Sequence, residues 1–169
     1  MRKTSVYKNS KRRDFNSTEP SGLVLNKKEL RKFKDIAYEN RDVEFLYLRE
    51  NEFEVFDTYF ELPNLKILDL SINNLTGSIS FLQSVPNLRH LYLTGNKIDS
   101  LQGLSEMPTL ETLCMSDNDV TSFEGLESLP NLRVLSLNYN AIENFRLFPY
   151  LPALHTLNLV GNPVADVPT

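Results

Sequence analysis

The sequence predicts an α/β solenoid, a horseshoe with a parallel concave sheet and short 3₁₀ or helical convex segments. Three observations predict it. An eleven-residue phrase, L-x-x-L-x-L-x-x-N-x-L, recurs six times, starting at Val43, Leu65, Leu88, Leu110, Leu132 and Leu154. The steps between copies are 22, 23, 22, 22 and 22 residues, and a fixed period of this size marks stacked units that cannot bury their apolar faces alone. Five prolines, Pro63, Pro86, Pro108, Pro130 and Pro152, each stand two residues before the next copy begins.

Taken in chain order, residues 1–17 read as a basic disordered tail. Arg2, Lys3, Lys8, Lys11, Arg12 and Arg13 have few apolar neighbours, a composition that cannot collapse into a core. Contact with an acidic surface, a solvated leader without a partner and a mitochondrial transit segment all fit it. It lacks the apolar stretch of a secretory signal. Residues 18–42 read as an N-terminal cap and a degenerate first repeat. The phrase can be laid over Pro20 to Leu30, with Leu23, Leu25 and Leu30 apolar and Lys28 in place of Asn. The following KFKDIAYENRD fits a charged helix turning Phe33, Ile36 and Ala37 inward.

Residues 43–169 hold the six full repeats. Alternating leucines such as Leu68 and Leu70, or Leu135 and Leu137, fit a short strand with one face buried. Asn51, Asn73, Asn96, Asn118, Asn140 and Asn162 stand where each strand must turn. Amide side chains satisfy backbone groups left unpaired by a turn, so these six are expected to form a buried structural ladder. Apolar residues then follow at three-residue spacing, as in NKIDSLQGLSEMP, which suggests 3₁₀ or short helical turns. Each proline closes such a segment, because it lacks an N–H and disfavours helix at the residue before it. A C-terminal cap is expected to be missing, leaving Leu154, Leu157 and Leu159 for further chain or a partner to cover.

Composition narrows the function. With 41% hydrophobic and 24% charged residues, the 169-residue chain suits one elongated soluble domain. No apolar run approaches the roughly 20 residues of a membrane helix, so no membrane partner is expected. A single cysteine, Cys114, excludes an internal disulfide framework and favours a cytoplasmic location. Residues 1–42 carry 12 Lys/Arg against 6 Asp/Glu, whereas residues 43–169 carry 6 against 16. A solenoid body at −10 is a poor match for phosphate backbones, so nucleic acid is not an expected partner.

Motifs for catalysis are absent. There is no Gly-rich phosphate loop, Cys-x-x-Cys pair, His-x-x-x-His or nucleophile elbow. His90 and His155 fall three repeats apart, roughly 14 Å at about 4.8 Å per strand, so they cannot share a metal ion. Neither cofactor nor metal is expected. The nearest approach to a catalytic triplet is Cys114 with His90 on the adjacent strand and Asp69 one strand further. The register makes His90 and Cys114 diagonal, and an open sheet implies no pocket.

Strand alternation instead sends the residues flanking the central leucine onto the concave face. One column reads Phe45, Ile67, His90, Thr112, Val134 and Thr156, and its neighbour reads Tyr47, Asp69, Tyr92, Cys114, Ser136 and Asn158. Beyond them lie Arg49, Ser71, Thr94, Ser116 and Asn138, then Glu50, Ile72, Asp117 and Tyr139 near the turn. Partner contact is assigned to Phe45, Tyr47, Arg49, Ile67, Asp69, His90, Tyr92, Cys114, Asp117, Val134, Ser136 and Asn158. Phe45, Tyr47, Ile67, Tyr92 and Val134 are the anchors, because aromatic and aliphatic side chains carry most interface energy. Asp69 and Asp117 would select a basic group.

The repeated phrase is that of leucine-rich repeats, and 22-residue copies with LPNL junctions resemble the intracellular class typified by the regulatory subunit of protein phosphatase type 1. FLYLRENEF, LKILDLSINNL, LRHLYLTGNKI and FPYLPALHTLNLVGNPV resemble the leucine-rich domain of the plant and protist microtubule-associated family named for auxin induction in root cultures. That resemblance implies a non-enzymatic protein-interaction module with a cytoskeletal role, its basic tail meeting tubulin or another cytoskeletal protein. The alternatives are a regulatory subunit of a protein phosphatase and, more remotely, a cysteine-dependent enzyme.

Overall fold

The computed structural model describes residues 21–55 and 60–165. The basic segment 1–17 lies outside the described residues. Nine short strands occur among the described residues: β1 (Gly22–Val24), β2 (Phe45–Tyr47), β3 (Ile67–Asp69), β4 (Thr76–Gly77), β5 (His90–Tyr92), β6 (Lys97–Ile98), β7 (Thr112–Cys114), β8 (Val134–Ser136) and β9 (Thr156–Asn158). Seven of them, in the order β1-β2-β3-β5-β7-β8-β9, form one parallel sheet. The chain is a solenoid, as its period requires, and each turn contributes one strand.

Every strand of this seven-stranded sheet is three residues long because the phrase gives it one inward leucine with an outward residue on each side. The central Leu46, Leu68, Leu91, Leu113 and Leu135 are all 0% exposed. The second leucine of each pair is equally buried, with Met115 taking its place in one repeat. These columns continue into Leu75, Ile98, Val120 and Ile142 behind the sheet, forming one contiguous core. At the C-terminal end the same position is less covered, and Leu157 is 36% exposed. The sheet takes the inner side of the arc, since strands space at about 4.8 Å and helical turns pack at about 8–10 Å.

Past each strand the parallel hydrogen bonds continue, as in Glu50 N–H to Ser71 O (3.0 Å) and Ile72 N–H to Thr94 O (2.7 Å). The chain then turns through one left-handed residue per repeat. Lys27, Glu50, Ile72, Gly95, Asp117, Tyr139 and Gly161 occupy equivalent places, with φ between 53° and 77°. Only two of the seven are glycines. Ile72, β-branched at φ 55°, is the most strained of them, because its branched Cβ crowds the backbone there.

The asparagine that follows locks the bend. Asn73 donates Nδ2–H to Leu48 O (3.1 Å) and Leu70 O (2.9 Å), and its Oδ1 accepts the Phe53 N–H (3.2 Å). Asn96, Asn118, Asn140 and Asn162 repeat the arrangement, each tying its own repeat to the preceding one. Among the described residues, no buried side-chain polar atom lacks a partner. A second ladder runs along the opposite end of the strands. Asn87 and Asn131 donate Nδ2–H to the carbonyls of Pro63 and Pro108, each at 2.8 Å, and the Thr109 hydroxyl donates to Pro86 O and Leu88 O.

On the outer side, 3₁₀ turns form at Ser80–Ser84 and Leu104–Glu106. Other convex segments depart from the expected helical turns. Leu126 N–H to Phe123 O and Phe148 N–H to Phe145 O are single i→i+3 bonds that the chain does not continue. Gly125 meets the preceding repeat so closely that a Cβ there would lie 2.5 Å from Leu101 O, and its φ of 106° leaves the helical region. Pro149 follows Phe148 directly and supplies no N–H for another turn. The sequence gives no hint of the two-residue parallel ladder between β4 and β6.

At the N-terminal edge β1 pairs with β2, and helix α1 (Phe33–Glu39) buries Phe33, Ile36 and Ala37. Phe33 packs against Phe53 and Phe60, with ring centroids 6.1 and 4.5 Å away.

Candidate interaction surface

The outward neighbours of the buried leucines form two straight columns. Phe45, Ile67, His90, Thr112, Val134 and Thr156 pair strand to strand, as do Tyr47, Asp69, Tyr92, Cys114, Ser136 and Asn158. From β2 to β8 all of these side chains are half-buried, because the inward curve of the sheet crowds them together. Val24 extends the second column at the N-terminal edge, opposite Tyr47, and is 61% exposed. Sequence reasoning missed it, although it occupies the outward position of the degenerate repeat.

The two columns differ in chemistry from end to end. Aromatic and aliphatic groups gather at the N-terminal half. The Phe45 ring lies across β1, since a Cβ on Gly22 would sit 1.5 Å from it, and its centroid is 5.9 Å from that of Tyr47. The C-terminal half carries small polar groups, among them Ser116 and Ser136, whose hydroxyls are 3.0 Å apart. Asn138 donates to the Ser136 hydroxyl and accepts the Val160 N–H.

Asp69 is central. Its Oδ1 accepts the Ser71 N–H at 2.9 Å. The Arg49 guanidinium engages Glu50 at 3.4 Å, so the nearest-column cation is directed away from Asp69. Ser71, expected in the outward third column, is only 3% exposed; its short side chain stands between Arg49 and Thr94 and does not reach the surface. Asp117 sits exposed at the rim, in the left-handed bend after β7.

Electrostatics on the face run against nucleophilic chemistry. Burial, and then the charge of Asp69, push the Cys114 thiol upward. A catalytic thiol needs the opposite shift, toward thiolate. His90 does not serve it, because its Nδ1 lies 3.1 Å from the Thr112 hydroxyl in its own column, not the column of Cys114. Burial likewise pushes the Tyr92 hydroxyl up, helped by Cys114, Tyr47 and Asp69. These groups therefore act on one another over one or two strand spacings.

Elsewhere the surface is ordinary or differently built. A rim of alternating charge precedes the columns, with Lys66 bonded to Glu44 at 2.7 Å and Arg89 within 3.7 Å of Glu111. On the convex side of the fifth full repeat, Leu147 and Tyr150 are 76% and 86% exposed beside the packed rings of Phe145 and Phe148. The sequence reading missed this patch, whose signal is the aromatic run FRLFPY. Among the described residues, no helix is long and apolar enough to cross a membrane.

Known proteins share this architecture. The chain is similar to an internalin (inlF) of Listeria monocytogenes, with a TM-score of 0.68 and 20% identity over 83% of this chain and 48% of that one. It is 45% identical over 42 residues to the acidic leucine-rich nuclear phosphoprotein 32 family member A of Drosophila melanogaster, covering 25% of this chain and 16% of that protein. It is 39% identical over 61 residues to the 187-kDa microtubule-associated protein AIR9 of Arabidopsis thaliana, covering 36% of this chain and 4% of that protein. The chain thus spans only a small part of these curated relatives. Leucine-rich repeats (two copies) match at residues 63–106, 108–150 and 130–169, more than half of the chain. With six copies of the phrase, a parallel one-strand-per-turn sheet and these matches in agreement, the chain belongs to the leucine-rich repeat family.

Proposed function

We propose that this protein is a non-enzymatic interaction module whose concave face captures a segment of a partner protein. One observation carries the reading. In β2 to β8 each central leucine is fully buried while the two residues beside it differ from strand to strand and remain accessible. Variation concentrated on one open face serves recognition, and the aromatic N-terminal half supplies the kind of anchor that dominates interface energy. The raised Cys114 thiol argues against the cysteine-dependent alternative.

The partner belongs to the cytoskeleton in this proposal, and the protein acts in the cytoplasm. Support comes from the partial match to a microtubule-associated protein over 36% of the chain, together with the distinctive FLYLRENEF and FPYLP segments. The basic residues of the N-terminal tail would add contact with an acidic surface such as tubulin.

Replacing Tyr47, Tyr92 and Val134 together by Ser tests the first part. Capture of partner protein is expected to be lost with the circular dichroism spectrum unchanged; retained capture would place the site elsewhere. Co-sedimentation with polymerised tubulin that requires residues 1–17 tests the second. Co-purification of phosphatase activity instead would point to the regulatory-subunit alternative.

A further inference from the structure

Tyr47, Asp69 and Tyr92 stand directly beside one another on three adjacent parallel strands. Their side chains all leave the same face, beside the half-buried row of Phe45, Ile67 and His90. A carboxylate is thus flanked by two phenol rings. No basic side chain among the described residues pairs with this carboxylate, and one of its oxygens is already oriented by the Ser71 N–H. The nearest-column cation, Arg49, is held by Glu50 instead.

We propose that Tyr47, Asp69 and Tyr92 form a cage for one arginine side chain of the partner segment. The proposal rests on the concave-face reading above and says what that face recognises at its centre. Distance favours it. Two strand spacings separate the tyrosines by roughly 10 Å, so a cation midway lies about 5 Å from each ring, inside the limit of about 6 Å for attraction to an aromatic face. The inward curve of the sheet shortens these distances at the side-chain tips.

Chemistry selects arginine over lysine. A guanidinium is planar, so it can lie along the tyrosine faces while its N–H groups reach the open oxygen of Asp69. It is also more weakly hydrated than an ammonium and loses less on entering a half-buried site. The surroundings raise the value of the contact, because partial burial lowers the local dielectric around Asp69. Phe45, whose ring is 5.9 Å from that of Tyr47, closes the cage on the N-terminal side.

The test is selection from a random dodecapeptide library displayed on phage, with the full chain as bait. Selected peptides are expected to share an arginine at a fixed position. Replacing it by citrulline, which keeps the shape and removes the charge, is expected to weaken binding about tenfold or more, equivalent to about 1.4 kcal/mol. Asp69→Asn keeps the Oδ1 acceptor for Ser71 and should weaken the arginine peptide by the same factor. The two changes together should weaken it no further, which is the signature of a direct pair. Asp99→Asn, an exposed acid off the face, is the charge control and should leave binding unchanged.

Selected peptides without a basic residue, a fixed lysine, or fully additive losses would each overturn the cage. If Val134→Ser abolishes peptide binding while Asp69→Asn does not, the cage is wrong and the concave strip stands. If neither variant matters, or no peptide is selected, both readings fall.

Discussion

Asn96 donates through Nδ2 to the carbonyl of Leu70, 3.1 Å away in the preceding repeat, while its Oδ1 accepts the Leu75 N–H at 3.0 Å. One side chain thereby satisfies buried groups of two repeats, including its own Leu93 carbonyl at 2.9 Å. Replacing it by leucine keeps the volume and orphans all three. Each orphan costs about 1–3 kcal/mol, so Asn96→Leu is expected to destabilise by about 3 kcal/mol or more in urea denaturation. Asn162→Leu should cost less, because its surroundings are partly open to solvent.

The left-handed bend offers a test with opposite signs. Ile72 holds φ 55° with a β-branched side chain, whereas Gly95 holds φ 71° in the next repeat. Strain of this kind costs about 1–3 kcal/mol. Ile72→Gly is expected to raise stability by about 1 kcal/mol after the entropy that glycine loses on folding. Gly95→Ala should lower it by a similar amount, since its Cβ would meet Ile72 at an ordinary 3.4 Å and only the backbone suffers. Thermal melting of both variants checks the pair.

Alkaline pH should weaken the fold at the concave face. Cys114 and Tyr92 both hold their protons to higher pH in the folded chain than when exposed. A raised folded pKa gives stability that is complete below the unfolded value and is lost as pH rises through the folded one. The decline should therefore begin above roughly pH 8.5, where an ordinary thiol titrates. Iodoacetamide modification of Cys114 should show a midpoint above that of a free thiol, and Asp69→Asn should move it down by removing the second cause of the shift. No change in Asp69→Asn would contradict the proximity of the two side chains.

Much of the fold is written in the repeated positions, and the reasons it is not all written there are physical. Leu68, Leu91 and Leu113 recur because one shape fits every turn of the core, so spacing alone places them. The left-handed bend does not recur as a residue type. Ile72, Asp117 and Tyr139 accept it because the asparagine ladder and strand bonds around them over-determine the backbone, leaving Gly95 and Gly161 as the sole clues. The ladder of Asn87, Thr109 and Asn131 is hidden in the same way, since an amide and a hydroxyl can make the same bond to a proline carbonyl.

On the candidate face, period two places each side chain outward but says nothing of what happens next. Ser71 is outward in register and still buried, because burial depends on its neighbours' size. Phe45 lies along the sheet over Gly22, and only the absent side chain at residue 22 permits it. The convex pair Leu147 and Tyr150 escapes the pattern altogether, as no repeat requires apolar residues there.

Site-specific photo-crosslinking tests the central claim most directly. A benzophenone amino acid placed at Tyr92, at Tyr150 or at Lys34 samples the concave face, the convex patch and the N-terminal helix in turn. After irradiation in cell extract, a discrete crosslinked product is expected from position 92, absent in the Tyr47→Ser and Val134→Ser background. Products from positions 150 or 34 alone, with none from 92, would contradict the assignment of recognition to the concave face.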